Sequence, residues 1–228
     1  MPFWFSAMGV TLVWGATYNA GQSCSGIKRV FVHQAIADEF IEQVVVAVEI
    51  LQAGRDYGPL IRASQRDEVL QRLKEAKANG AIILTGGQKQ PTLDNKYAEG
   101  YWLAPTVLLY KNSDLRIVRE ETFANVLPIC IVDDIDAAIQ QANDTPFGLS
   151  NAIFSRDIAK AQSIAQRLES GMVFINEVEV ALLYGEYWRG WKNSSVAGAG
   201  SKLEQCFKQQ LIVTHQGKQV RDYWYPYS

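Results

Sequence analysis

Segments with helical periodicity alternate along this chain with short β-branched and aromatic segments, and this alternation most constrains the fold. Helices that connect successive strands of one sheet leave those strands parallel, so the alternation predicts an α/β fold with a mostly parallel sheet flanked by helices. The predicted helices are 4–18, 36–51, 65–79, 135–142 and 157–168, and the predicted strands are 28–33, 81–84, 101–109 with a break at Pro105, 126–132, 151–155 and 172–175.

The last part of the chain departs from this alternation. Residues 178–202 are irregular and rich in glycine, residues 209–215 form a strand-like segment, and aromatic residues crowd positions 223–227. We therefore predict one large domain over 1–208, followed by a C-terminal strand and tail over 209–228.

Charge and cysteine content restrict the class of partner and the compartment. A formal net charge of −2 and a pI of about 5.8 provide no basic excess to neutralise phosphates, so we expect no nucleic-acid partner. The three cysteines, at positions 24, 130 and 206, lack the dense spacing of a secreted disulfide framework. The apolar stretch over 1–18 contains Pro2 and Gly9 and lacks a basic start, so we expect neither signal nor membrane anchor. These features favour a cytoplasmic protein.

Cys24 is the candidate nucleophile, because it follows a predicted helix and a turn of small and polar residues. A thiol at such a boundary is reachable, and backbone N–H groups at a turn can stabilise both a thiolate and a developing oxyanion. From composition alone, a buried structural cysteine is the commoner outcome. That interpretation suits Cys130, in an apolar strand, and Cys206, on a predicted helix of mixed polarity.

Other kinds of site find less support in the sequence. The cysteines and the two histidines, His33 and His215, lack paired metal-ligand spacing, so we predict no metal site. A Cys/His hydrolase would need His33 or His215 as its base. Neither a P-loop nor a dinucleotide-binding glycine fingerprint is present: Gly198-Ala199-Gly200 lacks the preceding strand and the third glycine.

Several segments nevertheless resemble, in the same order, landmarks of the aldehyde dehydrogenase superfamily over nearly the whole chain. They are Tyr18-Asn19-Ala20-Gly21-Gln22-Ser23-Cys24, Lys28-Arg29-Val30-Phe31-Val32-His33, Gly58-Pro59-Leu60-Ile61, Thr85-Gly86-Gly87, Ala104-Pro105-Thr106-Val107-Leu108, Arg119-Glu120-Glu121-Thr122-Phe123, Ala142-Asn143-Asp144-Thr145-Pro146-Phe147-Gly148-Leu149-Ser150 and Ser170-Gly171-Met172-Val173-Phe174-Ile175-Asn176. The resemblance implies the catalytic-domain fold of that family, with the last strand serving oligomerisation.

The same resemblance assigns functions to individual residues. It implies that the Cys24 thiol attacks an aldehyde, that hydride passes to NAD or NADP, and that water hydrolyses the resulting thioester. Glu121 is then expected to bond the nicotinamide ribose, Phe123 to pack near the nicotinamide, and Asn176 to line the substrate region and fix the local backbone. The plainer alternatives are an exposed charge for Glu121, a core aromatic for Phe123 and a turn asparagine for Asn176.

Departures from the family pattern lead to a further expectation. Only 23 residues precede Cys24, whereas the family places its general-base glutamate, in a Glu-Leu-Gly-Gly motif, and its nucleotide-binding half farther upstream. Ala124-Asn125 stands in place of the family's Gly-Pro. Arg189-Gly190-Trp191-Lys192-Asn193-Ser194-Ser195 replaces a family loop that shapes the substrate tunnel, and it keeps that loop's glycine, lysine and serine at Gly190, Lys192 and Ser194 but loses its proline. We therefore expect incomplete machinery in the isolated chain, and either a homo-oligomer or a complementing nucleotide-binding half as its partner.

Two alternatives to aldehyde oxidation remain open. One is a truncated, non-catalytic relative that acts as a structural or oligomerisation module. The other is a thioesterase that uses the residual reactivity of Cys24 without a positioned base.

Overall fold

The computed structural model describes residues 3–90, 97–178, 190–195 and 210–214, with the side chains of 3–7 excepted. The chain divides into two compact units, one holding the described residues up to Asp134 and the other those from Ile135 onward. Each unit has its own sheet and its own helices, so the two are described separately.

The first unit contains a four-stranded sheet and four helices. In the sheet order β1-β4-β3-β2, β4 pairs in parallel with β1 and β3, and β2 pairs antiparallel to β3. The elements are α1 (Phe3–Thr17), β1 (Val30–His33), α2 (Ala37–Glu49), α3 (Ala63–Ala78), β2 (Ile82–Thr85), β3 (Thr106–Leu109), α4 (Arg116–Arg119) and β4 (Val126–Val132), with 3-10 turns at Tyr18–Gly21 and Gln34–Ile36.

Helix polarity explains how the first unit is built. α1 is apolar on all sides, and its described side chains are mostly buried, including the fully buried Val13 and Ala16. α2 is amphipathic instead: Phe40, Val44 and Val48 recur every four residues and are all buried. The described part of α1, almost entirely buried, directly precedes the cysteine turn, which therefore begins from a fixed support.

The second unit has a parallel sheet in the order β6-β7-β9 and a small antiparallel pair, β5 with β8. Ile139, Ala165, Val173 and Ile175 belong to its apolar core, between helices and sheet. Its elements are α5 (Ile135–Asn143), β5 (Phe147–Gly148), β6 (Ser150–Ile153), α6 (Ile158–Ala165), β7 (Met172–Ile175), β8 (Trp191–Lys192) and β9 (Leu211–Thr214).

The predicted α/β class with mostly parallel pairing is confirmed, with the strands divided between the two units. The strand predicted over 101–109 with a break at Pro105 is a strand only after that break, at Thr106–Leu109, whereas Tyr101 and Leu103 form isolated bridges. The short helix α4 had not been predicted. The domain boundary at 208 stays a prediction, and Cys206 lies outside the described residues.

The predicted C-terminal strand is present as β9, and it pairs with β7 of its own chain. That this strand joins the sheet of a neighbouring subunit stays a prediction. Among the helices of the described part of the chain, none is both long enough and apolar enough to cross a bilayer.

Candidate functional site

Three successive left-handed residues reverse the chain between α1 and Cys24. Asn19, Ala20 and Gly21 have φ values of 51°, 56° and 71°. Left-handed backbone is costly for residues with a Cβ, and asparagine tolerates it because its amide can bond locally. The Asn19 Nδ2 atom does so, donating to the Gln22 carbonyl at 2.9 Å. This sharp reversal sets the position of the cysteine turn.

Cys24 lies exposed in that turn. Two serines flank it: the Ser23 and Ser25 hydroxyls lie 3.1 Å apart, and Ser23 also accepts a hydrogen bond from the Tyr18 hydroxyl. Within the described residues the Cys24 backbone N–H donates no hydrogen bond. Cys130 differs, because it is buried in β4 and burial raises the pKa of its thiol. Cys24 therefore offers a reachable thiol with a backbone donor beside it.

The Gln22 side chain joins the cysteine turn to a second motif. Its amide donates to the Pro59 carbonyl at 3.3 Å, and its Oε1 atom accepts from the Ile61 N–H at 2.9 Å. Gln22 is buried, so both bonds are shielded from water. The segment Gly58-Pro59-Leu60-Ile61 thus fixes the residue two positions before the thiol.

Gly21 brings the cysteine turn against the segment that follows Phe123. A Cβ atom added at Gly21 would lie 2.2 Å from the Ala124 carbonyl oxygen and 2.6 Å from the Asn125 nitrogen. No side chain fits at that distance, so the two backbones meet only because residue 21 is glycine. Glu121 and Phe123, two positions apart, precede this contact directly.

Lys28 links the two segments electrostatically. Its ammonium donates to the Gly21 carbonyl and lies 5.7 Å from the centroid of the Phe123 ring. Burial lowers the pKa of Lys28 to about 8, and Coulombic attraction, chiefly to the Glu121 carboxylate, opposes that shift. Sequence reasoning missed Lys28, because its contacts join residues nearly a hundred positions apart.

Glu121 and Phe123 border a cleft of about 470 Å³. Glu121 is exposed, and its carboxylate makes no hydrogen bond or ion pair with any described residue. Phe123 is half-buried and has a φ of 51°, a left-handed conformation that aromatic residues rarely adopt. The cleft is lined by Arg62, Ser64, Gln65, Glu68, Val69, Arg72, Glu121, Thr122 and Phe123. The first unit therefore brings Cys24, Glu121 and Phe123 into one neighbourhood.

Asn176 lies in the second unit, directly after β7. Its φ is 58°, and its amide bonds the backbone of Ser155 twice, accepting from the N–H at 2.8 Å and donating to the carbonyl at 2.9 Å. Asn176 thus fixes the ends of two neighbouring strands. Its role toward a substrate stays a prediction.

The loop around Lys192 contacts the backbone after α5. The Lys192 ammonium donates to the carbonyls of Asn143 at 2.6 Å and Thr145 at 3.2 Å, and it pairs with Glu169 at 2.8 Å. Ser194 accepts from the Gly148 N–H at 3.2 Å. Two of the positions that match the family loop therefore serve, in the described structure, to hold the backbone of the second unit.

Comparison with known sequences decides the family. A sequence profile of the aldehyde dehydrogenase family matches residues 6–212. The chain belongs to the aldehyde dehydrogenase family. The resemblance inferred from the ordered motifs is thereby confirmed.

Two curated relatives and one solved structure, all betaine aldehyde dehydrogenases, are similar to this chain. A betaine aldehyde dehydrogenase of Rhizobium leguminosarum bv. trifolii is 35% identical over 77% of this chain and 37% of its own length. The chloroplastic betaine aldehyde dehydrogenase of Beta vulgaris is 33% identical over 84% and 38%. A Staphylococcus aureus betaine aldehyde dehydrogenase solved with NAD+ is 33% identical, with a TM-score of 0.78 over 84% of this chain and 39% of that one. The chain spans about two fifths of the length of these aldehyde dehydrogenases.

Proposed function

We propose that this chain supplies the thiol-bearing part of an NAD(P)-dependent aldehyde dehydrogenase, with Cys24 as the nucleophile. The Cys24 thiolate adds to the aldehyde carbon and forms a thiohemiacetal. Loss of hydride from that carbon leaves a thioester on sulfur, and water then releases the carboxylic acid and regenerates the thiol. A bound nicotinamide supplies the acceptor for that hydride.

One observation carries the proposal. The backbone contact between Gly21 and Ala124 places the cysteine turn beside the segment of Glu121 and Phe123. In the expected reaction the thiol holds the carbon that loses hydride, so thiol and nicotinamide must be neighbours. An exposed Cys24 with an uncommitted backbone N–H also suits the oxyanion that forms during attack.

The residues present fit a nicotinamide nucleotide. The Glu121 carboxylate, which bonds no described residue, has acceptor capacity for ribose hydroxyls. The Phe123 ring borders the same cleft and offers an apolar face to a heteroaromatic ring. Asn176 is proposed to line the substrate region.

The general base and the larger part of the nucleotide site are proposed to come from a nucleotide-binding half that complements this chain. Without that general base the reaction should be about 10²–10⁴-fold slower, because general acid–base catalysis contributes a factor of that size to the rate. We propose a small aldehyde as substrate, since the curated relatives are named for betaine aldehyde. A cytoplasmic location is proposed from the cysteine spacing, which lacks the density of a secreted disulfide framework.

A homo-oligomer is the second proposed partnership. β9 is the last strand of its sheet, so within the described residues one of its edges pairs with no strand. An open edge can accept a strand from another copy. Sedimentation as a monomer at micromolar concentration would contradict this assembly.

The test measures thiol reactivity and turnover together. With the purified chain, betaine aldehyde should slow alkylation of Cys24 by iodoacetamide but leave Cys130 unaffected, and no steady NADH should form. Adding a relative's nucleotide-binding half should produce NADH at 340 nm, and Cys24→Ser should abolish it. Cys130→Ser is the matched control and should keep the activity.

Two results would contradict the proposal. If Cys24→Ser retains full NADH production in the complemented protein, Cys24 is not the nucleophile. If aldehyde never protects Cys24 and complementation never yields turnover, the non-catalytic structural module becomes the better explanation.

A further inference from the structure

One face of α3 lies against the segment of Glu121 and Phe123. Gln65, Glu68 and Arg72 are spaced by three and four residues, so they form a row along the helix. Gln65 Nε2 donates to the Phe123 carbonyl at 2.5 Å, and Arg72 Nη1 donates to the Glu121 carbonyl at 3.2 Å. The two carbonyls that α3 holds belong to the two residues proposed to meet the cofactor.

Of these two donors, Arg72 is also held by ion pairs. Its side chain is only 9% exposed, and its Nη2 atom pairs with Glu68 at 2.5 Å and with Glu120 at 2.8 Å. A buried guanidinium needs such carboxylate partners, because removing its charge from water is otherwise strongly unfavourable. The ion pairs hold the Arg72 side chain at the Glu121 carbonyl.

The two adjacent glutamates, Glu120 and Glu121, contact Arg72 in different ways. Glu120 pairs with Arg72 and also with Arg116, whose hydrogen bond holds the pKa of the Glu120 carboxyl below its ordinary value. Glu121 gives Arg72 its backbone carbonyl instead, and its carboxylate pairs with no described residue. One glutamate is therefore engaged in holding the segment, while the other borders the cleft with its carboxylate available.

Phe123 needs such support, because its left-handed backbone costs free energy for a residue with a large side chain. Strained conformations persist where the surrounding structure holds them. The bonds from Arg72 to the Glu121 carbonyl and from Gln65 to the Phe123 carbonyl bracket this strained stretch on its two sides.

We infer that Arg72 is a positioning residue that fixes the backbone of Glu121 and Phe123 so that both side chains border the cleft. The inference rests on the proposed function for its meaning, since the cleft then receives the nicotinamide ribose. Its structural part, which is the immobilisation of residues 120–124, can be measured without cofactor or aldehyde.

The experiment compares the full chain with Arg72→Met, Arg72→Lys and Arg116→Met. Arg116→Met is the matched control, because Arg116 also contacts Glu68 and Glu120 but makes no bond to the Glu121 carbonyl. Hydrogen exchange by mass spectrometry reports the local motion of 120–124, with 37–49 of α2 as the internal reference. Binding of NAD+ to the protein complemented with a relative's nucleotide-binding half, followed by calorimetry, reports the consequence for the cleft.

In Arg72→Met, exchange in 120–124 should become about tenfold faster, while 37–49 exchanges as in the wild type. NAD+ should bind about tenfold more weakly, Arg72→Lys should restore part of both effects, and Arg116→Met should leave both within about twofold. If Arg72→Met does not fold, Arg72→Lys alone should still speed exchange in 120–124 relative to Arg116→Met.

The positioning role would be overturned if residues 120–124 of Arg72→Met exchanged at the wild-type rate, whatever the effect on NAD+ binding. If only Arg72→Lys folds, the same result in that variant would overturn it. An equal effect of Arg116→Met would overturn it as well, since charge alone would then explain the change. Failure of the complemented wild-type protein to bind NAD+ would count against the proposed function, and the exchange result would still decide the role of Arg72.

Discussion

Gly21 and Ala124 meet backbone to backbone, so closely that a methyl group on residue 21 would lie 2.2 Å from the Ala124 carbonyl oxygen. This contact joins two segments that are about a hundred residues apart in sequence. It also places the cysteine turn and the Glu121-to-Phe123 segment in one compact unit.

Replacing Gly21 with alanine should therefore destabilise the first unit by more than about 2 kcal/mol, because the new methyl group clashes with backbone and φ is +71°. Urea unfolding of Gly21→Ala measures this loss. Gly58→Ala is the control, since a Cβ there meets nothing within 4 Å, and its stability should stay within about 0.5 kcal/mol of wild type. Equal stability of the two variants would contradict the close approach.

The thiols of Cys24 and Cys130 should differ in reactivity by at least about tenfold at pH 7.5. Cys24 is exposed, whereas Cys130 is buried and burial raises the pKa of its thiol, which lowers the fraction of reactive thiolate. Timed alkylation with iodoacetamide and peptide mass spectrometry measures each site separately. Faster labelling of Cys130 in the folded chain would rule this prediction out.

The lowered pKa of Lys28 predicts that the free energy of unfolding increases with pH in the alkaline range. Its folded pKa of about 8 lies below the ordinary value of 10.5, chiefly because the ammonium is buried. Between pH 8 and 10 the unfolded chain therefore binds the proton that the folded chain has released. The free energy of unfolding should rise with pH there, by at most about 1.4 kcal/mol per pH unit, whereas below pH 8 the cost of burying the charge remains in full.

Lys28→Met should remove this rise, because it removes the titrating group. Unfolding by urea at pH 7.5, 8.5 and 9.5 gives the slope for each protein. Lys111→Met is the control, since Lys111 is exposed and the variant retains Lys28. A slope in Lys28→Met as steep as in wild type would show that another group is responsible.

Asn176→Ala should destabilise the second unit by about 2 kcal/mol. The substitution removes two hydrogen bonds to the Ser155 backbone and leaves alanine at a φ of 58°, which alanine tolerates less well than asparagine. Thermal unfolding measures the change. Asn112→Ala removes one exposed local bond to the Asp114 N–H and should cost less than about 0.5 kcal/mol.

The secondary structure was largely predictable because periodicity reflects local burial. The four-residue spacing of Phe40, Val44 and Val48 predicted α2, and the apolar run ending at Val132 predicted β4. In the strand predicted over 101–109, only the part after the break at Pro105 is a strand, because apolar residues before it occur in a buried loop. Trp102, Leu103 and Ala104 are all buried although none of them lies in a strand.

Residues of the candidate site could be proposed from the sequence only where a motif is contiguous. Cys24, Glu121 and Phe123 followed from short segments that resemble the family, and the structure brings them into one unit. Lys28 and Arg72 were missed because their roles depend on contacts with residues 95 and 49 positions away. A charged residue reveals nothing in sequence about a partner that only the tertiary fold supplies.

The two arginines beside Glu120 should respond differently to salt. Arg116 is about half exposed, so mobile ions reach its contacts, and at 1 M salt the screening length of about 3 Å is comparable to its ion-pair distances. Arg72 is only 9% exposed, but its carboxylate partners Glu68 and Glu120 are about half exposed, so salt should weaken its ion pairs in part. Its bond to the Glu121 carbonyl joins a charged group to a neutral one and should weaken less. The geometry around the cleft should therefore be less sensitive to the ionic strength of the surroundings than the exposed ion pairs of Arg116 are.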